Sequence, residues 1–284
     1  MAPYLAKPWR DASFDFRGKV LRGEAQPPPR WQQTLDAINL AAGPMLGREY
    51  AARYLPAATR KQADDIAGQI RDALVRDIDA STWLGDAAKA EARSKLNKLR
   101  IEIGTPRRDL DYTVQPMGRG SFGGNMLIAS TWRHREEMKR IGHGNADRRW
   151  DVLPQQPALA YDLAQNRLIV TAAMLQAPVL DAAMPQATQY GAYGALVGHE
   201  LSHAVDARGR MVDAGNNLRD WWSSAEAAAW EANAQKVAAL YDGFAWPQLK
   251  GVKLDGRITR DENIADLAGL ALAHAALVAA LPAG

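Results

Sequence analysis

Two histidines stand four residues apart in the segment His199-Glu-Leu-Ser-His203, and this spacing constrains the fold more than any other part of the sequence. In an α-helix, positions i and i+4 lie one turn apart on the same face, so both imidazole rings can reach one metal ion. Glu200 would project about 100° away from His199, beside such an ion, where a general base is useful. The segment therefore predicts a helix that carries a metal site. The alternative is a pair of histidines on a solvated helix face.

The 284 residues include no cysteine and only five histidines, so a metal must be held by histidine and carboxylate groups. A catalytic zinc site needs three protein ligands and one open position. Glu262 and Asp266 are also four residues apart and could supply one ligand and one carboxylate that orients a ligand. The segment from Thr259 to Glu262 also fits a helix capping box, which would explain Glu262 without a metal. Asp206, three residues after His203, is either a hydrogen-bond partner of that histidine or a solvated acid near a helix end.

The spacing of apolar residues predicts a mainly α-helical chain with a small β-sheet, an α+β fold. Residues 1–30 end in Gln26-Pro-Pro-Pro-Arg30 and are expected to form an irregular tail or linker. The helix that carries the two histidines is expected to stop near Gly209, where a glycine can adopt a left-handed cap conformation. Within residues 31–98 we expect two to four helices with breaks at Gly43-Pro44, Pro56 and Gly85. They are followed by a strand at 100–103, a loop over 107–124, a helix at 125–141 and an irregular stretch over 142–157. The rest of the chain is expected to form a strand at 166–170 and helices at 189–207, 221–240 and 259–281.

Charge and hydropathy exclude several other classes of protein. The 35 basic and 32 acidic residues leave a net charge of +3 with no concentrated basic face, so nucleic-acid binding is not expected. The apolar stretch Leu267–Leu281 is shorter than the roughly 20 residues that span a bilayer. It predicts a buried helix rather than a membrane span. The first ten residues lack the apolar run of a secretory signal, which leaves the compartment open.

Three segments in the C-terminal half together resemble the neprilysin and endothelin-converting-enzyme family of zinc metallopeptidases. They are residues 197–210, which include both histidines, Trp221-Trp222-Ser223, and residues 255–266. Further pieces agree in order along the chain: Phe16 to Gly23, Trp83 with Lys89, Ile103 to Pro106, and Asn166 to Pro178. The resemblance implies a thermolysin-like catalytic core over residues 151–284 and part of a helical second domain over residues 31–150.

The resemblance also implies a site and an activity. One Zn²⁺ would be held by His199, His203 and Glu262, and the chain would hydrolyse peptide bonds as a zinc metalloendopeptidase. Glu200 would act as the general base on a zinc-activated water. Asp206 and Asp266 would orient the two histidines, and Asp266 is counted with Glu200 as a catalytic residue. The family suggests a periplasmic or extracellular location if a targeting segment lies upstream, and a cytoplasmic one otherwise.

The chain departs from the family pattern in two ways. The family grips its substrate peptide with an Asn-Ala-x-Tyr segment, whereas this chain has Ala158-Leu159-Ala-Tyr161. Ala158 and Leu159 are therefore the expected substrate-binding positions, without the asparagine side chain. The family also continues past Gly284 with a histidine and an arginine that stabilise the oxyanion and bind the substrate, and it has a long N-terminal portion. The alternative function is a zinc-binding but weakly active or inactive subunit that needs a partner chain to complete its active site.

Overall fold

The computed structural model describes residues 4–107, 110–143 and 149–281. It is mainly helical with one three-stranded sheet, which confirms the predicted fold class. The chain divides into two compact units. One comprises Met1–Tyr50 and Arg107–Leu153, and the other comprises Ala51–Pro106 and Pro154–Gly284.

The described helices and strands follow one another in this order: α1 (Lys7–Phe14), α2 (Arg30–Tyr54), α3 (Ala57–Ala80), α4 (Asp86–Asn97), β1 (Arg100–Gly104), α5 (Phe122–Met138), β2 (Leu159–Asp162), β3 (Arg167–Thr171), α6 (Gln186–Gln189), α7 (Ala195–Ser202), α8 (Ser224–Tyr241) and α9 (Gly256–Ala280). A π-helical segment, Tyr190–Gly194, joins α6 to α7. Three helices occupy residues 31–98, as predicted.

The N-terminal segment differs from the predicted irregular tail, whereas α2 has the predicted break. Residues 7–20 were expected to be irregular, but α1 continues into a π-helical segment, Asp15–Val20. Pro8 lies in the first turn of α1, where a backbone N–H has no helical partner and its loss costs little. In α2, Ala42 leaves the helical region two residues before Pro44. This kink lies at the predicted break, because proline lacks an N–H and clashes with the preceding turn.

In the second unit, α3 carries an apolar stripe at helical spacing, and the stripe is buried: Ile66, Ile70, Leu74 and Ile78. The sheet order is β1-β3-β2, with β3 buried along its whole length. β1 pairs with β3 in parallel, whereas β2 is an antiparallel edge strand in which Leu159 lies opposite Val170. β2 was not predicted.

Helix α9 starts earlier than predicted and is 25 residues long. Among the described helices, α9 alone is long and apolar enough to cross a membrane by length and composition. Leu272, Ala273 and Ala276 are buried. Leu267 and Leu270 are exposed, so the expectation of a buried helix holds for only one face of α9.

Candidate metal centre

The two histidines lie at the C-terminal end of α7. His199 is inside the helix, and His203 is its C-cap residue with right-handed helical backbone angles. The rings therefore stay one turn apart, with their centroids 5.0 Å apart and their Nε2 atoms 3.3 Å apart. The helix was expected to continue to residue 207 and ends at Ser202, but this correction leaves the spacing of the pair intact.

Glu262 reaches the same point from α9. Its Oε2 atom lies 3.2 Å from His199 Nε2 and 3.5 Å from His203 Nε2. The capping-box explanation of Glu262 is wrong, because α9 begins at Gly256 and its N-cap is Asp255. Thr259 therefore lies inside the helix, where its hydroxyl oxygen accepts a hydrogen bond from the Asn263 side chain.

Each histidine is bound at its other ring nitrogen by a carboxylate. His199 Nδ1 lies 2.7 Å from Asp266 Oδ1, and His203 Nδ1 lies 2.8 Å from Asp206 Oδ2. In a neutral imidazole, a carboxylate at Nδ1 places the proton there and leaves the lone pair on Nε2. The hydrogen bond that His203 donates to Asp206 also raises the pKa of His203.

The donor set fits a zinc ion. Three electron-pair donors, two Nε2 atoms and one carboxylate oxygen, face one another at 3.2–3.5 Å with no proton between them in this tautomer. Ligands about 2.0–2.1 Å from a tetrahedral Zn²⁺ are separated by roughly 3.4 Å, close to the observed spacing. Within the described residues, His199, His203 and Glu262 are the only group of such donors that could hold a metal ion.

The two orienting carboxylates differ in their surroundings. Asp206 is buried, and its Oδ1 atom accepts hydrogen bonds from the backbone N–H groups of Arg208 and Gly209. It is therefore not a solvated acid. The side chains of Glu262 and Asp266 are 59% and 70% exposed, so the centre is open to solvent on the α9 side.

Gly209 has a different role from the one expected. It does not have the positive φ of a left-handed cap, and α7 ends seven residues before it. A Cβ atom on Gly209 would lie 2.4 Å from the carbonyl oxygens of His203 and Ala204. Glycine is therefore required because the turn folds back closely onto the end of α7.

Glu200 lies beside the donor cluster and contacts the edge of the sheet. Its Oε2 atom accepts a hydrogen bond of 2.8 Å from the backbone N–H of Tyr161 in β2. Burial raises the pKa of the Glu200 carboxyl, and the Tyr161 N–H opposes part of that rise. The sequence does not identify this contact, because every residue except proline carries a backbone N–H.

The predicted substrate-binding residues lie in or next to β2. Thr171 N donates to Ala158 O, and Ala158 N donates to Thr171 Oγ1, so the backbone of Ala158 faces β3. Because antiparallel pairing alternates along a strand, the N–H and C=O groups of Leu159 point away from β3. The next outward-facing N–H belongs to Tyr161, which binds Glu200.

Comparison with known proteins agrees with this geometry. Two models of peptidase family M13 match the chain, one over residues 1–106 and one over residues 160–280. The chain belongs to peptidase family M13. This confirms the resemblance to neprilysins and endothelin-converting enzymes that the motifs predicted.

Individual M13 relatives align with nearly all of this chain. Neprilysin-3 of Drosophila melanogaster is 27% identical over 95% of this chain and 35% of its own length. An endothelin-converting enzyme homolog of Locusta migratoria is 26% identical over 96% of this chain and 38% of its own length. The zinc metalloprotease Zmp1 of Mycobacterium tuberculosis, solved with an inhibitor, superposes with a TM-score of 0.87 at 27% identity. That alignment covers all of this chain and 44% of Zmp1. The chain thus spans less than half the length of these relatives.

Proposed function

We propose that the chain carries the catalytic centre of a zinc metalloendopeptidase, with one Zn²⁺ held by His199, His203 and Glu262. The observation that carries the proposal is the convergence of three donor atoms whose two histidines are each oriented by a carboxylate. When bound, zinc would polarise a peptide carbonyl and lower the pKa of a water molecule. Membership of family M13 supports the assignment.

Glu200 is the proposed general base. It takes a proton from the attacking water and passes it to the amine that leaves when the peptide C–N bond breaks. The hydrogen bond from Tyr161 N–H fixes one carboxylate oxygen and so sets the direction of the carboxylate. Burial raises the pKa of Glu200 towards neutral pH, which makes the carboxylate a better proton acceptor there.

The proposed substrate site is the outer edge of β2. An extended peptide can pair with the outward N–H and C=O groups of Leu159 as an added strand. Ala158 lies next to this position but has no polar side chain to offer the substrate. Backbone pairing supports recognition of extended peptides with little dependence on sequence.

A second candidate is the zinc-binding subunit that needs a partner chain. The exposure of the Glu262 and Asp266 side chains favours it, because water reaches the centre from the α9 side. Exclusion of water strengthens electrostatic stabilisation of a transition state. A partner that covers this side would therefore raise the rate without adding a ligand.

One set of measurements separates these functions. We compare the wild type with Glu200→Gln and with Glu24→Gln, which makes the same substitution in an exposed ion pair with Arg22. Zinc is counted by elemental analysis after dialysis, and turnover is measured on a quenched fluorescent peptide library. We expect one zinc per chain in all three proteins and a loss of turnover of about 10²–10⁴-fold in Glu200→Gln alone.

Each outcome assigns a function. Unchanged turnover in Glu200→Gln would reject the general-base role. A wild type that binds zinc but cleaves nothing would favour the subunit that needs a partner. A wild type that binds no zinc under conditions where it is folded would reject both functions.

A further inference from the structure

Lys95 in α4 is a buried cation that the proposed mechanism does not use. Its side chain is fully buried, and its Nζ atom donates to Gly209 O at 2.7 Å and to Val212 O at 2.8 Å. Burial lowers the pKa of Lys95 to about 8. A buried ammonium group is stable only when its N–H groups donate hydrogen bonds. Here the acceptors are backbone carbonyls of the turn that follows α7.

Gly209 connects this ammonium to the metal centre. Its carbonyl accepts from Lys95, and its own N–H donates 2.7 Å to Asp206 Oδ1. The other oxygen of Asp206 lies 2.8 Å from His203 Nδ1. Three hydrogen bonds and one residue of backbone therefore lie between the Lys95 ammonium and the His203 ring.

The main chain of Lys95 connects to the other side of the centre. Lys95 O accepts from Asn166 Nδ2 at 2.7 Å, and Asn166 Oδ1 accepts from the Tyr161 hydroxyl at 2.9 Å. The N–H of Tyr161 in turn binds Glu200. Lys95 thus contacts two segments next to the centre. Its ammonium binds the turn that contains Asp206, and its backbone carbonyl binds Asn166 in the loop between β2 and β3, next to the strand whose Tyr161 N–H binds Glu200.

We propose that Lys95 is a positioning residue for His203, and that its ammonium holds the turn after α7 so that Asp206 stays directed at His203 Nδ1. This inference rests on the proposed zinc site. Helix α4 supplies no zinc ligand, but through Lys95 it would control the orientation of one ligand, His203. Residues that orient a metal-ligating histidine commonly change metal affinity by 10–100-fold when removed.

The test compares two lysines at the C-terminal end of α4, Lys95 inside the helix and Lys98 at its C-cap. Lys95→Met removes the ammonium and keeps an apolar side chain. Lys98→Met is the matched control, because Lys98 lies one turn away, is exposed, and donates to the carbonyl of Ala214 rather than to Gly209. Zinc affinity is measured by competition with a chelator, and unfolding of the metal-free proteins is followed in urea. We expect zinc binding about 10–100-fold weaker in Lys95→Met and unchanged in Lys98→Met.

A double-mutant cycle separates positioning from general destabilisation. In an Asp206→Ala background, Lys95→Met should weaken zinc binding no further, because the link to His203 is already broken. The same loss in both backgrounds would overturn the proposal, as would wild-type zinc affinity in Lys95→Met. A wild type that binds no zinc would instead reject the zinc site itself.

Trp221→Phe provides a second test if Lys95→Met does not fold. The indole N–H of Trp221 donates to the same two carbonyls, of Gly209 and Val212, at 3.3 Å each. We expect a smaller loss of zinc affinity in the same direction, again absent in the Asp206→Ala background. An equal loss in both backgrounds, or no loss in either, would contradict the role assigned to the turn.

Discussion

Helices α7 and α9 touch through their backbones at two glycines, and this contact sets the distance between the proposed zinc ligands. Gly198 directly precedes His199, and Gly269 follows Glu262 by seven residues, which places Gly269 on the same side of α9. A Cβ atom on Gly269 would lie 2.4 Å from Ala195 O and 2.6 Å from His199 N. Gly269→Ala therefore tests how closely the site depends on the spacing of the two helices.

The size of the effect follows from the overlap. Real Cβ contacts are essentially never below 3.0 Å, so the helices must separate by at least about 0.6 Å at the crossing. Zinc sites require ligand distances within about 0.2 Å, so Glu262 cannot keep its place relative to both histidines. We expect zinc binding to weaken by about 10–100-fold, equivalent to roughly 1.4–2.7 kcal/mol. Overpacking should also lower the free energy of unfolding by about 1–3 kcal/mol.

The assay measures the zinc dissociation constant by chelator competition and the stability of the metal-free protein by urea unfolding. Gly191→Ala is the control, because it makes the same substitution in the helical stretch before α7, where a Cβ atom meets nothing within 4 Å. It should bind zinc as the wild type does. Zinc affinity and stability of Gly269→Ala equal to those of Gly191→Ala would refute the claim that the helix crossing determines the site.

Two further predictions concern stability. Ser223 caps α8 in a reciprocal capping box with Glu226, so Ser223→Ala should lower the free energy of unfolding by about 1 kcal/mol in urea titrations without changing zinc affinity. Because burial lowers the pKa of Lys95 from 10.5 to about 8, the unfolded chain binds more protons than the folded chain between these values. The free energy of unfolding should therefore rise with pH over this interval, by about 3 kcal/mol in total. This rise should be absent in Lys95→Met and present in Lys98→Met.

The sequence predicted the features that depend on neighbouring residues. The spacing of Ile66, Ile70 and Leu74 identifies the buried face of α3, and the spacing of His199 and His203 identifies one face of α7. Such patterns extend over one or two helical turns, where the helix itself determines which side chains share a face. The edge strand β2 was missed although its partner β3 follows after only four residues, because Leu159–Asp162 is short and contains no β-branched residue.

Glu262 shows where sequence spacing stops being informative. A ligand on the face of a helix and the last residue of a capping box can occur at the same position in the sequence, and only the start of the helix separates them. That start is Asp255, whose side chain accepts from Arg257 N and caps α9 one turn before Thr259. Aspartate is a preferred N-cap residue, so the sequence itself contains a signal that starts α9 before Thr259.

Lys95 could not be predicted in any such way. In the sequence it is one of two lysines in an alanine-rich, charged helix, where lysine usually faces solvent. Its burial depends on the turn after α7, more than 100 residues later, which presents the carbonyls of Gly209 and Val212 to it. Because those acceptors are backbone atoms, no side-chain pattern records the contact.

The two histidines are consequently held by different parts of the fold. Asp266, on α9, contacts Nδ1 of His199, and the glycine crossing sets the distance of α9 from α7. Asp206, in the turn after α7, contacts Nδ1 of His203, and Lys95 donates a hydrogen bond to that turn from α4. A shift of α9 therefore displaces Glu262 and Asp266 together and leaves the partner of His203 in place. The motif on α7 supplies the spacing of the rings, while their orientation depends on two segments that make separate contacts with it.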